Sequence, residues 1–137
     1  MFVILRTLRE ALVPPVEVVF WRDVDGTVPL LEWIEELPPK AQDKCVAALK
    51  RLGALGHELR RPIVDYLRDD IYELRVGLRR NNYRMLYFFH GRTAAVVSHG
   101  LEKERIVPPK EIDKAIRRKR AFEVDPPFHT FIPEGMP

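Results

Sequence analysis

A chain of 137 residues with 46% hydrophobic content has room for one core, and its net charge of +3 does not by itself separate a nucleic-acid binder from a housekeeping enzyme. No apolar run approaches the roughly 20 residues that span a bilayer, and Met1 to Val13 is broken by Arg6, Arg9 and Glu10 with no small-residue cleavage site after it, so neither a membrane span nor a secretory signal is expected. The lone Cys45 excludes an intrachain disulfide and a cysteine-built zinc site, and a cytoplasmic address fits best.

Residues 1–15 read as an N-terminal extension, residues 16–122 as the folded domain and residues 123–137 as a proline-rich tail. Behind Pro14-Pro15, the β-branched and aromatic run Val16 to Trp21 predicts a first strand. Asp23, Asp25 and Gly26 mark a turn; they resemble the start of a calcium loop only superficially, because the later acidic ligand is missing. Leu30, Leu31, Trp33, Ile34 and Leu37 lay an apolar stripe along a short helix that Pro38-Pro39 closes. From Lys40 the apolar residues Ala41, Cys45, Ala48, Leu49, Leu52 and Leu55 predict a second, amphipathic helix capped near Gly56, with Cys45 as a small buried hydrophobe.

The period then changes to alternation. Strands are expected at Ile63 to Leu67, Ile71 to Leu78, Tyr83 to Phe89 and Thr93 to Leu101, and the short joins between them favour a meander of antiparallel hairpins. Pro108-Pro109 opens a last helix, Lys110 to Phe122, with Ile112, Ala115, Ile116 and Phe122 on its buried side and a basic opposite side. Asp125 to Pro137 holds four prolines and a glycine and reads as an extended tail without a core of its own. The fold class is thus α+β: a small, twisted, mainly antiparallel and partly mixed sheet with two N-terminal helices and one C-terminal helix.

Positive charge is concentrated. Eight Lys or Arg residues lie between Glu102 and Arg120, opposed only by Glu102, Glu104, Glu111 and Asp113, and Arg75, Arg79, Arg80 and Arg84 form a second cluster. Such clusters suit a phosphate backbone, with Arg79, Arg80, Arg105, Arg117, Arg118 and Lys119 as candidate RNA contacts. Alternation sends Arg75 away from Tyr72, Leu74, Val76 and Leu78, and Arg84 follows the next turn, so the two guanidiniums can meet across the sheet as a phosphate clamp. Fixed cations of this kind stabilise the charge that gathers when a ribose 2′-hydroxyl attacks its own phosphodiester, chemistry that needs neither metal nor other cofactor. His99, Tyr83 and Lys103 are the nearby candidates for proton transfer.

Each of these residues also has a plainer reading. A strand arginine is commonly ion-paired, and Glu73 and Glu102 are available to Arg75. His99 follows an apolar run and reads equally as a hydrogen-bonded structural residue, and Tyr83, Tyr87, Phe88 and Phe89 read as core before they read as base-stacking platforms. The four histidines show no metal-ligand spacing. The clamp requires that both guanidiniums converge on one open cationic hollow; placement on opposite sides, or locking of both into internal ion pairs, would undo it.

The segment from Ile71 to Phe122 resembles the phage-derived, HigB-like branch of the RelE/ParE toxin superfamily. Tyr72-Glu73-Leu74-Arg75 resembles one strand signature, Tyr83-Arg84 with Leu86-Tyr87 the next, His99-Gly100 with Lys103 its histidine-glycine-aromatic-x-lysine-lysine segment, and Pro109 through Ala115 its proline-led final helix. Leu101 replaces the usual aromatic residue and Glu104 the second lysine, which makes the local field less positive. The resemblance implies a RelE-like fold, translation-dependent mRNA cleavage in the ribosomal A site and neutralisation by a helix-turn-helix, HigA-like antitoxin. It carries over best to Arg75 and Arg84, then to Lys103, and least to His99 and Tyr83. Two other readings stay open: a gyrase-directed toxin of the superfamily's ParE branch, and a non-catalytic module that binds RNA or a protein.

Overall fold

The computed structural model describes residues 15–102 and 105–134. Strand β1 is Glu17–Trp21, followed by helices α1, Pro29–Glu35, and α2, Pro39–Leu55. The strands β2, Val64–Arg68, β3, Ile71–Leu78, β4, Asn81–His90, and β5, Ala94–Glu102, come next, then helix α3, Pro109–Val124, and a two-residue strand β6, Thr130–Phe131. Each helix begins on a proline, whose fixed φ suits the first turn and whose missing N–H removes a donor that would have no partner there. Helix α2 ends where Gly56 turns to φ 49° and returns its N–H to Leu52.

The six strands form one mixed sheet in the order β2-β3-β4-β5-β1-β6. Strands β2 to β5 are the antiparallel meander expected from the alternating pattern. The β2–β3 turn uses Asp69 and Asp70, both with positive φ, as tight hairpins require and as short acidic side chains tolerate. Strand β1 inserts beside β5 in parallel, Glu17 opposite Ala94 through Phe20 opposite Val97.

Period-two alternation divides the sheet into two faces. One carries Val18, Phe20, Leu74, Val76, Tyr83, Met85, Tyr87, Ala95 and Val97 against Leu30 and Ile34 of α1 and Ala41, Cys45, Leu49 and Leu52 of α2. Cys45 is fully buried there, and burial pushes its thiol up to about 11. The other carries Val19, Trp21, Ile71, Leu86, Phe88, Val96 and Leu101 against Ile112, Ala115 and Phe122 of α3. Gly100 lets α1 approach closely, because a Cβ there would stand 2.2 Å from the Trp33 ring.

The C-terminal segment departs from the expected extended tail. Its described part, through residue 134, docks on the sheet: β6 pairs antiparallel with β1, and His129 is buried, stacked on Trp21 at 4.0 Å with Nδ1 2.8 Å from the Arg22 carbonyl. Arg22 in turn donates to the Phe128 carbonyl. The prolines set a turn at Pro127–His129 and do not hold the segment off the domain. Among the described residues, no helix is long and apolar enough to cross a membrane.

Candidate active site

The α3 face of β3 and β4 carries the charged residues. Alternation from Ile71 through Glu73 to Arg75 points all three toward that face, and the tight turn at Arg79-Arg80 brings β4 back so that Arg75 sits directly opposite Arg84. Opposed strand positions place Cβ atoms about 5 Å apart, a spacing at which two like charges repel unless a counter-charge lies between them.

Glu73 is that counter-charge. Its side chain is only 1% exposed; Oε1 accepts from Arg75 Nε at 2.7 Å and Oε2 from Arg84 Nη1 at 3.1 Å. Asp65, opposite Glu73 on β2, extends the array: Oδ2 accepts from Arg75 Nη2 at 2.9 Å and Oδ1 from Arg61 Nε at 2.8 Å. The Arg61 hydrogen bond is the main cause that holds the Asp65 carboxyl below the usual carboxylate range. The result is an ionic ladder, Arg61–Asp65–Arg75–Glu73–Arg84, of three guanidiniums and two carboxylates with one positive charge in excess.

Convergence of Arg75 and Arg84 on one face is therefore present, but the open hollow of unpaired cations is not: both guanidiniums are locked in ion pairs, which corrects the expected open clamp to one already occupied by a carboxylate. Both arginines are held by Glu73, because a carboxylate two residues before Arg75 shares its face and its depth. Arg75 stays accessible at 39% of its side chain, with Nη1 bonded to no acceptor among the described residues; Arg84 is 12% exposed and its buried Nε is without a hydrogen-bond partner there.

His99 reaches the same face through a β-bulge. The register shift between Leu86 and Tyr87 adds Ser98 as an extra residue, so Ser98 and His99 both turn toward α3. His99 is 6% exposed; Nδ1 lies 2.8 Å from Ser98 Oγ, and Nε2 lies 3.4 Å from Glu111 Oε1 without making a hydrogen bond. Burial, reinforced by Arg118, lowers its pKa to about 4, so the imidazole is neutral at pH 7.

The remaining candidates separate. Tyr83 lies on the opposite face from Arg84, 1% exposed and edge-on to Trp33 at 6.1 Å, so it is a core residue and does not meet the arginines. Arg79, Arg80, Arg105 and Arg117 are exposed. Arg118 is not free surface: it donates to the Ser98 carbonyl at 3.1 Å, its guanidinium stands 5.8 Å from the Trp21 ring centroid, and burial lowers its pKa. Lys119 is paired with Glu123. Lys103 lies outside the described residues. Asp65 was missed by sequence reasoning, because it joins the site through the register of β2 opposite Glu73, which no residue type marks. Among the described residues, no three His, Cys, Asp or Glu side chains gather closely enough to hold a metal ion.

Residues 32–120 match the family model described as phage derived protein Gp49-like. The chain is 29% identical over 115 residues to the protein named probable endoribonuclease HigB1 of Mycobacterium tuberculosis, in strains CDC 1551 / Oshkosh and ATCC 25618 / H37Rv. That alignment covers 80% of this chain and 89% of the relative. With two thirds of its length in one family model and its strand motifs in the matched stretch, the chain belongs to the phage-derived Gp49-like family of HigB-like toxins.

Proposed function

We propose that this chain is the toxin of a type II toxin–antitoxin pair and cuts translated mRNA on the ribosome without a metal. The carrying observation is the cross-strand register of Arg75 and Arg84 beside α3, in a chain whose relative is named a probable endoribonuclease. In the reaction the ribose 2′-oxygen bonds to phosphorus and the 5′-oxygen leaves. The 2′ proton passes to a base, and the departing oxygen takes a proton from an acid. Arg75, 39% exposed at its side chain, and Arg84 stabilise the non-bridging oxygens, while Glu73 fixes both guanidiniums before substrate arrives. Lys103, which follows β5 in the chain, is assigned to proton transfer; His99, neutral and enclosed beside Ser98 and Glu111, is assigned a structural role on the α3 face. Exposed Arg79, Arg80, Arg105 and Arg117 supply sequence-independent attraction to the RNA backbone. The expected partner is a helix-turn-helix antitoxin that masks this charge or keeps the protein off the ribosome.

Induced expression tests the reading. Wild-type protein is expected to arrest growth and leave cuts in translated messages, and Arg75→Ala, which leaves Glu73 paired with Arg84 and Asp65 with Arg61, to lose about 10²–10³-fold in cleavage while remaining folded. Intact translated RNA under a growth-arresting dose would sink it. A second reading, a binding module without chemistry, is favoured by the full engagement of Glu73 with both arginines; it requires bound but uncut RNA on programmed ribosomes.

A further inference from the structure

On the opposite face of β2, β3 and β4, past the C-terminal end of α2, lies a cavity of about 730 Å³. Its wall is aromatic. Tyr66, Tyr72 and Tyr87 are cross-strand partners, with ring centroids 5.2 Å apart edge-on and then 5.5 Å apart stacked, and Phe89 continues the row with His57 stacked on it at 3.8 Å. The row is not sealed into the core: Tyr66 is 51% exposed and His57 is exposed. Arg61, 77% exposed at its side chain, stands at the rim.

Flat rings in an open recess beside a guanidinium are the chemistry that holds a single-stranded nucleotide, the base against the ring and the phosphate against the cation. The recess is also joined to the arginine site. The rim residue Arg61 is the first rung of the ladder that runs through Asp65 to Arg75 and Arg84, and β2, which it crosses, is the outermost strand of the sheet. A strand of RNA lying along these guanidiniums passes over that edge from one face to the other.

We infer that the aromatic recess is a nucleobase subsite, holding an unpaired base of the same RNA strand whose scissile phosphodiester sits at Arg75 and Arg84. The inference rests on the proposed RNA-cleaving function and adds to it where the neighbouring base is held. Two guanidiniums at the rim, Arg60 and Arg61, against one carboxylate, Asp65, favour this polyanion over an apolar peptide as occupant.

The probes are adenosine monophosphate and a short 2′-O-methyl oligoribonucleotide that cannot be cut, added to the full chain. Amide shifts are expected at Tyr66, Tyr72 and His57. Tyr66→Ala should weaken the oligonucleotide about tenfold, the scale on which one stacked base contributes. Tyr66→Phe separates stacking from fold: it loses the bond that the Tyr66 hydroxyl accepts from the Asp70 N–H but keeps the ring, and should bind as wild type. Shifts confined to the strands around Arg75 and Arg84, with Tyr66→Ala binding normally, overturn the subsite and leave the nuclease reading standing. Binding at Tyr66 without any cleavage on ribosomes keeps the subsite and removes the nuclease. Absence of binding of either probe, or protection of Tyr66 by the antitoxin and not by RNA, overturns the subsite as well.

Discussion

The two faces of this sheet are built from the same strands and opposite chemistry. The α1/α2 face is closed by aliphatic and aromatic side chains except at the recess beside β2, whereas the α3 face buries Glu73, Ser98 and His99 and half-buries Arg84 and Arg118. Trp21 Nε1, Arg84 Nε and His99 Nε2, the buried polar atoms left without partners among the described residues, all belong to the α3 face. Buried polar groups that lack partners cost stability, and proteins keep them chiefly where a site needs them. One face holds the fold together; the other spends part of that margin on a charged, pre-arranged surface.

Neighbouring residues let the contrast be tested, because 73 and 74 point in opposite directions. Glu73→Ala leaves two arginines facing each other, one of them nearly enclosed, and is expected to cost about 3–5 kcal/mol in urea unfolding together with the loss of RNA cleavage. Leu74→Ala, fully buried on the far face, is expected to cost about 2–5 kcal/mol while cleavage per folded molecule is retained. If both variants lost cleavage equally when folded, the division between faces would be wrong.

Acid should act on the α3 face. The folded-state pKa of His99 lies near 4, below the ordinary value of 6.5, so the unfolded chain binds more protons between those limits. Its contribution is complete above pH 6.5 and is lost as pH falls toward 4, by up to about 3 kcal/mol at roughly 1.4 kcal/mol per unit. His99→Gln should flatten that slope in unfolding titrations, with Glu111, Lys114 and Arg118 left in place; an unchanged slope would assign it elsewhere. The smallest effect is expected at Gly100→Ala, whose methyl meets Trp33 and costs about 1–3 kcal/mol in thermal unfolding without altering the pH slope.

Much of this was legible in the chain. Three helices and five of six strands follow from periodicity and prolines, and the approach of Arg75 to Arg84 follows from alternation and the short join between their strands. The same alternation already set Tyr83 against Arg84 on opposite faces, a signal that was present and unused. Asp65 joins the ladder only through the register of β2, and His99 turns toward α3 only because Ser98 is an extra residue; neither offset is marked by a residue type. The docking of the C-terminal segment was hidden for another reason. It depends on Trp21 meeting His129 across the length of the domain and on a strand of two residues, too short to show a period.

The insertion of β1 next to β5 also sets an order in time. Its partners are 94–97 on one side and 130–131 on the other, so the first strand made must wait for the last parts of the sheet. At about 5–20 residues per second of synthesis, that wait is several seconds, during which Val18 to Trp21 have no neighbouring strand. The central meander, whose contacts are local, can assemble in the interval. A nascent copy thus completes its sheet only after residues 130 and 131 have been made.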